Sequence, residues 1–158
     1  MKRIVFAVLF ALYLIFIMSG CASAQWKIDR NKIITGSLMF FGGSSKGFNE
    51  KLQFHYDEFK HIFPGASDRW FNPDVSWQNK YKHGNSAEGA KFPLSTTMLV
   101  FTTDQYHLNN FIQRVSITSA IVLKIGQKQK FKYYVYDFIY YTICYQAGFA
   151  LTYYPFKK

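Results

Sequence analysis

The segment Tyr133–Tyr154, YYVYDFIYYTICYQAGFALTYY, decides the fold. Its Tyr, Phe and Ile are good strand formers. Yet the alternation of a half-buried strand is missing, because Phe138-Ile139-Tyr140-Tyr141 and, upstream, Ile121-Val122-Leu123 are apolar or aromatic without interruption. The reading is therefore helical, all-α, with a small antiparallel β-barrel of the outer-membrane type as the alternative. Pro155 ends the segment, and Asp137 is its one charge. About 20 residues cover the hydrocarbon core of a bilayer, so this is the best candidate span beyond the N-terminal leader. Tyr at both ends would suit a membrane interface.

Working outward, residues 94–125 form another helical stretch, bounded by Pro93 and Gly126. Its connection to the last segment, IGQKQKFK over 125–132, gathers Lys124, Lys128, Lys130 and Lys132. In a membrane hairpin this turn would prefer the cytoplasmic side; otherwise its lysines would suit anionic headgroups. Residues 30–63 also read as helical. Gly43 and Gly47 there have small-xxx-small spacing, and Phe48, Leu52, Tyr56, Phe59 and Phe63 form an apolar stripe of helical period before Pro64-Gly65 stops it. Residues 64–95 are full of breakers yet hold Trp70, Phe71, Trp77, Tyr81 and Phe92, which predicts one long ordered loop pinned by aromatic side chains. Within it, Asn72 and Pro73 predict a short helix, capped and opened by those two residues and closed at Gly84.

The N-terminus, MKRIVFAVLFALYLIFIMSGCASAQW, has the three parts of a secretory signal: Lys2 and Arg3, the apolar run Ile4–Met18, then small residues. Residues 1–24 are thus expected to be a signal peptide, with 25–158 a single helical domain. Cleavage after Ala22-Ser23-Ala24 would leave Gln25 first. Alternatively, Met18-Ser19-Gly20-Cys21 resembles a lipobox, making Cys21 a lipidation candidate. Either way Cys144 is the remaining ordinary thiol, and no intramolecular disulfide is expected.

The whole chain of 158 residues suits one domain. Its 49 % hydrophobic and 20 % aromatic content excludes a disordered tail, and 2 Cys exclude a disulfide scaffold. Losing Lys2 and Arg3 lowers the formal charge from +10 to +8. Mean hydropathy falls from −0.08 to roughly −0.4, an ordinary value for a water-facing chain. Trp and Tyr among the lysines of 70–82 could stack on bases, but an exported protein rarely meets nucleic acid. The expected partners are membrane lipids or envelope components, and the oligomeric state is left open. No Walker loop, G-x-G-x-x-G loop or G-x-S-x-G elbow is present, and no cofactor is expected.

The sharpest constellation is Asp104, His107, Phe111 and Arg114, spaced to share one helix face. Asp104 can hold one ring nitrogen of His107, leaving the other for a proton, a metal or a phosphate. These two are the catalytic candidates, and Arg114 is an anion-binding one. The alternative is a structural network tying helices together. A second cluster is Glu50, His55, Asp57, Glu58 and His61, with Asp57–His61 and His55–Glu58 at pairing distance; Glu50 and Asp57 are binding candidates, and no metal site is expected because the H-E-x-x-H arrangement is absent. Asp137, alone in an apolar segment, is a binding candidate by default, with Lys132 or Arg114 as possible partners. Cys144 has no activating neighbour and reads as an inert thiol.

Through HYDEFKHIFPGA (55–66), NPDVSWQNKYK (72–82), FPLSTT (92–97), TTDQYHL (102–108) and AGFALTY (147–153), the chain resembles a group of small exported proteins of bacterial envelopes. GGSSKGFNE (42–50) and TDQYHLNN (103–110) are similar to the glycine-to-glutamate and acidic-x-x-His segments of YfiM-like and VanZ-like small envelope proteins, in the reverse order. The resemblance implies a helical envelope protein and brings no reaction. The function expected is a membrane-associated binding or structural role. The alternative is an envelope hydrolase of lipid or cell-wall phosphate, in which Asp104, His107, Glu50 and Asp137 would line one pocket.

Overall fold

Asp29 opens the first helix by accepting the Lys32 amide on its carboxylate at 2.8 Å, satisfying one of the donors a helix start leaves unpaired. This helix, α1, runs Arg30–Phe54, and α2 follows over Tyr56–Ile62. The stretch 30–63 is thus two helices, because His55 between them leaves helical geometry (φ −142°). The structure, a computed structural model, describes residues 26–155. The expected signal peptide, both processing sites and Cys21 lie outside the described residues.

The loop is ordered, as its aromatics predicted. It contains α3 (Asp68–Phe71) and α4 (Pro73–Ser76). Asn72 caps α4 by accepting the Asp74 amide, with Pro73 at the first position. The helix stops at Ser76 and not at Gly84. After a 3-10 turn at Trp77–Lys80, Tyr81 becomes extended and forms an isolated antiparallel bridge with Ala90. Trp70 donates to Gln105 Oε1 at 3.0 Å, Asn79 to the Thr103 carbonyl at 3.1 Å, and Ser95 to the Lys80 carbonyl at 2.8 Å. The first two bonds fasten the loop to the start of α5, and the third closes the loop on itself.

α5 spans Gln105–Lys124 and α6 spans Phe131–Tyr153. The expected start of α5 near residue 94 is too early. Leu94 sits at φ +65°, a conformation that breaks a helix, and the chain then makes tight turns before Asp104 caps α5. α6 matches the segment that decided the fold, ending before Pro155.

α1 is the spine, packed against both α5 and α6, while those two meet chiefly through side chains. α6 runs parallel to α1, since Gly36 meets Tyr140, Gly43 meets Tyr145 and Gly47 meets Phe149. α5 runs antiparallel, since Gly42 meets Ser116 and Asn49 bonds Asn109. At the α1–α6 crossing a Cβ on Gly43 would overlap the Tyr145 carbonyl oxygen, and one on Gly148 the Phe40 carbonyl oxygen. The small-xxx-small spacing therefore marks a real close approach.

Among the described residues no β-strand forms, which rules out the barrel alternative in favour of a small all-α domain. No helix among them is long and apolar enough to cross a membrane; Tyr133–Tyr154 falls short because tyrosines, Thr142, Gln146 and Asp137 interrupt it. The burial pattern inverts that of a water-soluble bundle. Lys32, Thr35, Ser45, Asn49, Lys51, Asn109, Ser116 and Asp137 are buried, whereas Phe41, Val122, Phe138 and Leu151 are more than half exposed.

Candidate functional site

The site begins with one carboxylate. Asp104 is buried, and its Oδ1 accepts the His107 amide at 2.9 Å, the N-cap bond of α5. Its Oδ2 accepts from Thr103 Oγ1 at 3.0 Å and lies 2.7 Å from His107 Nδ1. An ionised carboxylate only accepts, so His107 Nδ1 carries a proton, and Nε2 is left as an acceptor when the ring is neutral. Nε2 has no hydrogen-bond partner among the described residues. The sequence placed Asp104 on the helix face; the structure puts it just before the helix, where it both caps α5 and orients the ring.

His107 lines a groove of about 420 Å³ with Tyr106, Asn110, Phe111 and Arg114 on one side and Met98 and Phe101 on the other. The Phe101 and Phe111 rings stack with centroids 4.2 Å apart. Arg114 is two turns from His107, about 10 Å along the axis, is exposed, and has no ion pair among the described residues. A helical side chain leans toward the N-terminus, so the guanidinium leans toward the His107 end. The groove thus offers a ring nitrogen, a cation and apolar walls, a combination suited to an anionic group on an apolar body.

The remaining candidates do not join it. Glu50 pairs with Lys46 at 2.7 Å, and this bond raises the Lys46 pKa above 10.5. Asp57 is exposed in the first turn of α2, and neither it nor His61 has an ion pair among the described residues. His55 does approach Glu58, at 3.9 Å, but its other nitrogen meets the Tyr153 hydroxyl at 2.9 Å, tying the end of α1 to the end of α6. Among the described residues no three His, Cys, Asp or Glu side chains converge as metal ligands. Cys144 is half-buried, and burial pushes its thiol above the ordinary value despite a Tyr140 hydrogen bond.

Asp137 marks the other end of the bundle. It accepts from Trp26 Nε1 at 3.0 Å and Gln129 Nε2 at 2.9 Å, with Lys124 Nζ at 3.0 Å and Lys32 Nζ at 3.9 Å. Burial alone would raise its pKa, but the Gln129, Lys124 and Trp26 bonds and the Lys124 charge outweigh it and leave the carboxyl below 3.8. Its partners are therefore Lys124 and Lys32, and neither Lys132 nor Arg114 bonds it. Those two lie elsewhere, Lys132 over the Tyr133 ring and Arg114 midway along α5, about 15 Å from Lys124 along the axis. Because Lys124 ends α5 and His107 begins it, the two sites are roughly 25 Å apart along the helix.

A single pocket holding Asp104, His107, Glu50 and Asp137 does not form. Sequence reasoning also missed Trp26, Lys32, Lys124 and Gln129 as partners of Asp137, and the Asn49–Asn109 pair between α1 and α5. A lone Asp in an apolar segment announces that donors are needed, but sequence spacing does not name them across helices. Comparison with family models, with curated proteins and with solved structures finds no match to the chain.

Proposed function

We propose that this chain is a membrane-associated protein of the bacterial envelope with a binding or structural role. One observation carries the reading: polar and charged side chains fill the spaces between α1, α5 and α6, while large apolar side chains cover their outer faces. Water disfavours that arrangement, whereas lipid accepts it, since helix contacts in lipid rest on small residues and internal polar bonds. The leader-like N-terminus supports export. The groove at His107 and Arg114 is the binding site of this reading, with an anionic amphiphile as its ligand class. Fractionating expressing cells tests the proposal. Retention of the processed protein in membranes is expected, and recovery in a soluble periplasmic extract would overturn it. Mass spectrometry of the mature N-terminus then separates Gln25 from acylated Cys21.

The hydrolase reading keeps one favourable observation, the Asp104-oriented His107 beside Arg114, which suits general acid–base work on a phosphate ester. It loses the four-residue pocket it called for. Phosphate release from a lipid phosphate that vanishes in His107→Gln would be needed to restore it.

A further inference from the structure

The two ends of the bundle differ sharply in charge. Of the acidic residues, Glu50, Asp57, Glu58, Asp68, Asp74, Glu88 and Asp104 all lie between positions 50 and 104, in or beside the loop at the end where α5 begins. The opposite end keeps only Asp29 and Asp137. Asp137 is enclosed by its donors, and Asp29 caps α1. Around them Lys27, Arg30, Lys128, Lys130 and Lys132 are exposed.

The same end carries the most exposed large apolar side chain among the described residues. Phe131, the first residue of α6, is 82 % exposed and Ile125, in the α5–α6 connection, 73 %, and both sit among those lysines. The connection is nonetheless built. Gly126 turns it at φ +83°, Lys124 donates to Gln127 at 2.8 Å, Tyr134 to the Gln127 carbonyl at 2.6 Å, and Gln129 to Asp137. Trp26 reaches the same carboxylate, so the Lys27–Arg30 segment and the connection are held together.

We propose that this basal tip docks on an anionic phospholipid surface, with Phe131 and Ile125 entering the headgroup boundary and the five cations lying on the phosphates. The inference rests on the membrane reading and deepens it, naming the end that meets the headgroups and the lipid charge it takes. Apolar tips ringed by cations suit such an interface, because apolar burial and attraction to anionic lipid add.

Hydrogen–deuterium exchange of the full chain tests this. It is read by mass spectrometry with vesicles of phosphatidylcholine alone or with about 30 % phosphatidylglycerol, a mildly anionic surface. The expected result is slowed exchange across 125–132 with anionic vesicles, little with neutral ones, and reversal by salt. Replacing Lys128, Lys130 and Lys132 by Gln should raise the lipid concentration for half-protection about 100-fold, since each lysine near such a surface is worth about fivefold. Phe131→Ser should weaken protection on the same peptide. Equal protection on neutral vesicles, protection confined to the sides of α1 and α6, or indifference to the lysines would overturn the basal tip while leaving membrane association standing. No protection anywhere with either vesicle would overturn both.

Discussion

A carboxylate enclosed by a bundle survives only with donors around it, and Asp137 draws them from four segments: Trp26 ahead of α1, Lys32 on α1, Lys124 at the end of α5 and Gln129 in the connection. Removing it strands the lysines, so Asp137→Ala should cost about 3–5 kcal/mol, the usual penalty for breaking a buried pair, measured by urea unfolding. The pH dependence has a definite sign. Asp137 is held below 3.8 in the fold, so it adds stability above about pH 4 and loses it as pH falls through its folded value. Lys124 is raised above 10.5, where burial opposes the shift but the bond to Asp137 and the neighbouring Tyr141 prevail, so its contribution fades only as pH climbs past that value. Melting temperature against pH should therefore fall on the acid side in the native chain, with a shallower acid limb in Asp137→Asn. Asp104 makes a smaller case. Asp104→Ala removes the cap of α5 and should cost about 1–2 kcal/mol, while Asp104→Asn retains an acceptor for the His107 amide and should cost less in the same urea titration.

At the scale of elements, the α1–α6 crossing yields a contrast within one helix. Gly43→Ala and Gly148→Ala place a methyl on a backbone carbonyl of the neighbouring helix, which side-chain adjustment cannot relieve; each should destabilise by about 1–3 kcal/mol, the range for overpacking. In Gly42→Ala the new methyl stands 3.4 Å from Ile117 Cγ1, a side-chain atom able to give. The helix gains about 0.8–1 kcal/mol of propensity, so Gly42→Ala should be neutral or stabilising. Urea midpoints of the three variants check the ordering. Gly43 and its spacing were legible in the sequence, as were the length of α6 and the Asn72–Pro73 cap, because each rests on neighbours a few positions apart; the ordered loop was legible from its aromatic content, but not the Trp70–Gln105 bond that spans 35 positions. The late start of α5 was not legible, since nothing local marks Leu94 as left-handed. Nor were the donors to Asp137, which come together only when three helices assemble.

For the whole molecule, the exposed side chains imply a test that separates folding from placement. Phe41 on α1 and Phe138 and Leu151 on α6 are 58 %, 71 % and 56 % exposed, so in the isolated bundle they do little to hold the helices together. The bundle is held instead by glycine contacts and internal polar bonds, which a bilayer would leave intact or strengthen. Changing all three to Gln should therefore preserve the helical circular dichroism spectrum and change the unfolding free energy by only about 0.5 kcal/mol per site, as for surface substitutions generally. On the proposed membrane reading the same changes remove apolar area from the faces that would meet lipid, at about 25 cal/mol per Å² transferred, and so should move the protein from the membrane fraction toward the soluble extract. If helicity collapsed instead, these side chains would form a core closed by another chain, and the outer faces would belong to a protein interface. If helicity and membrane retention both persisted unchanged, attachment would lie in the basal lysines or an acylated Cys21. Circular dichroism and fractionation of one triple variant thus decide whether the inverted surface places the protein in the envelope.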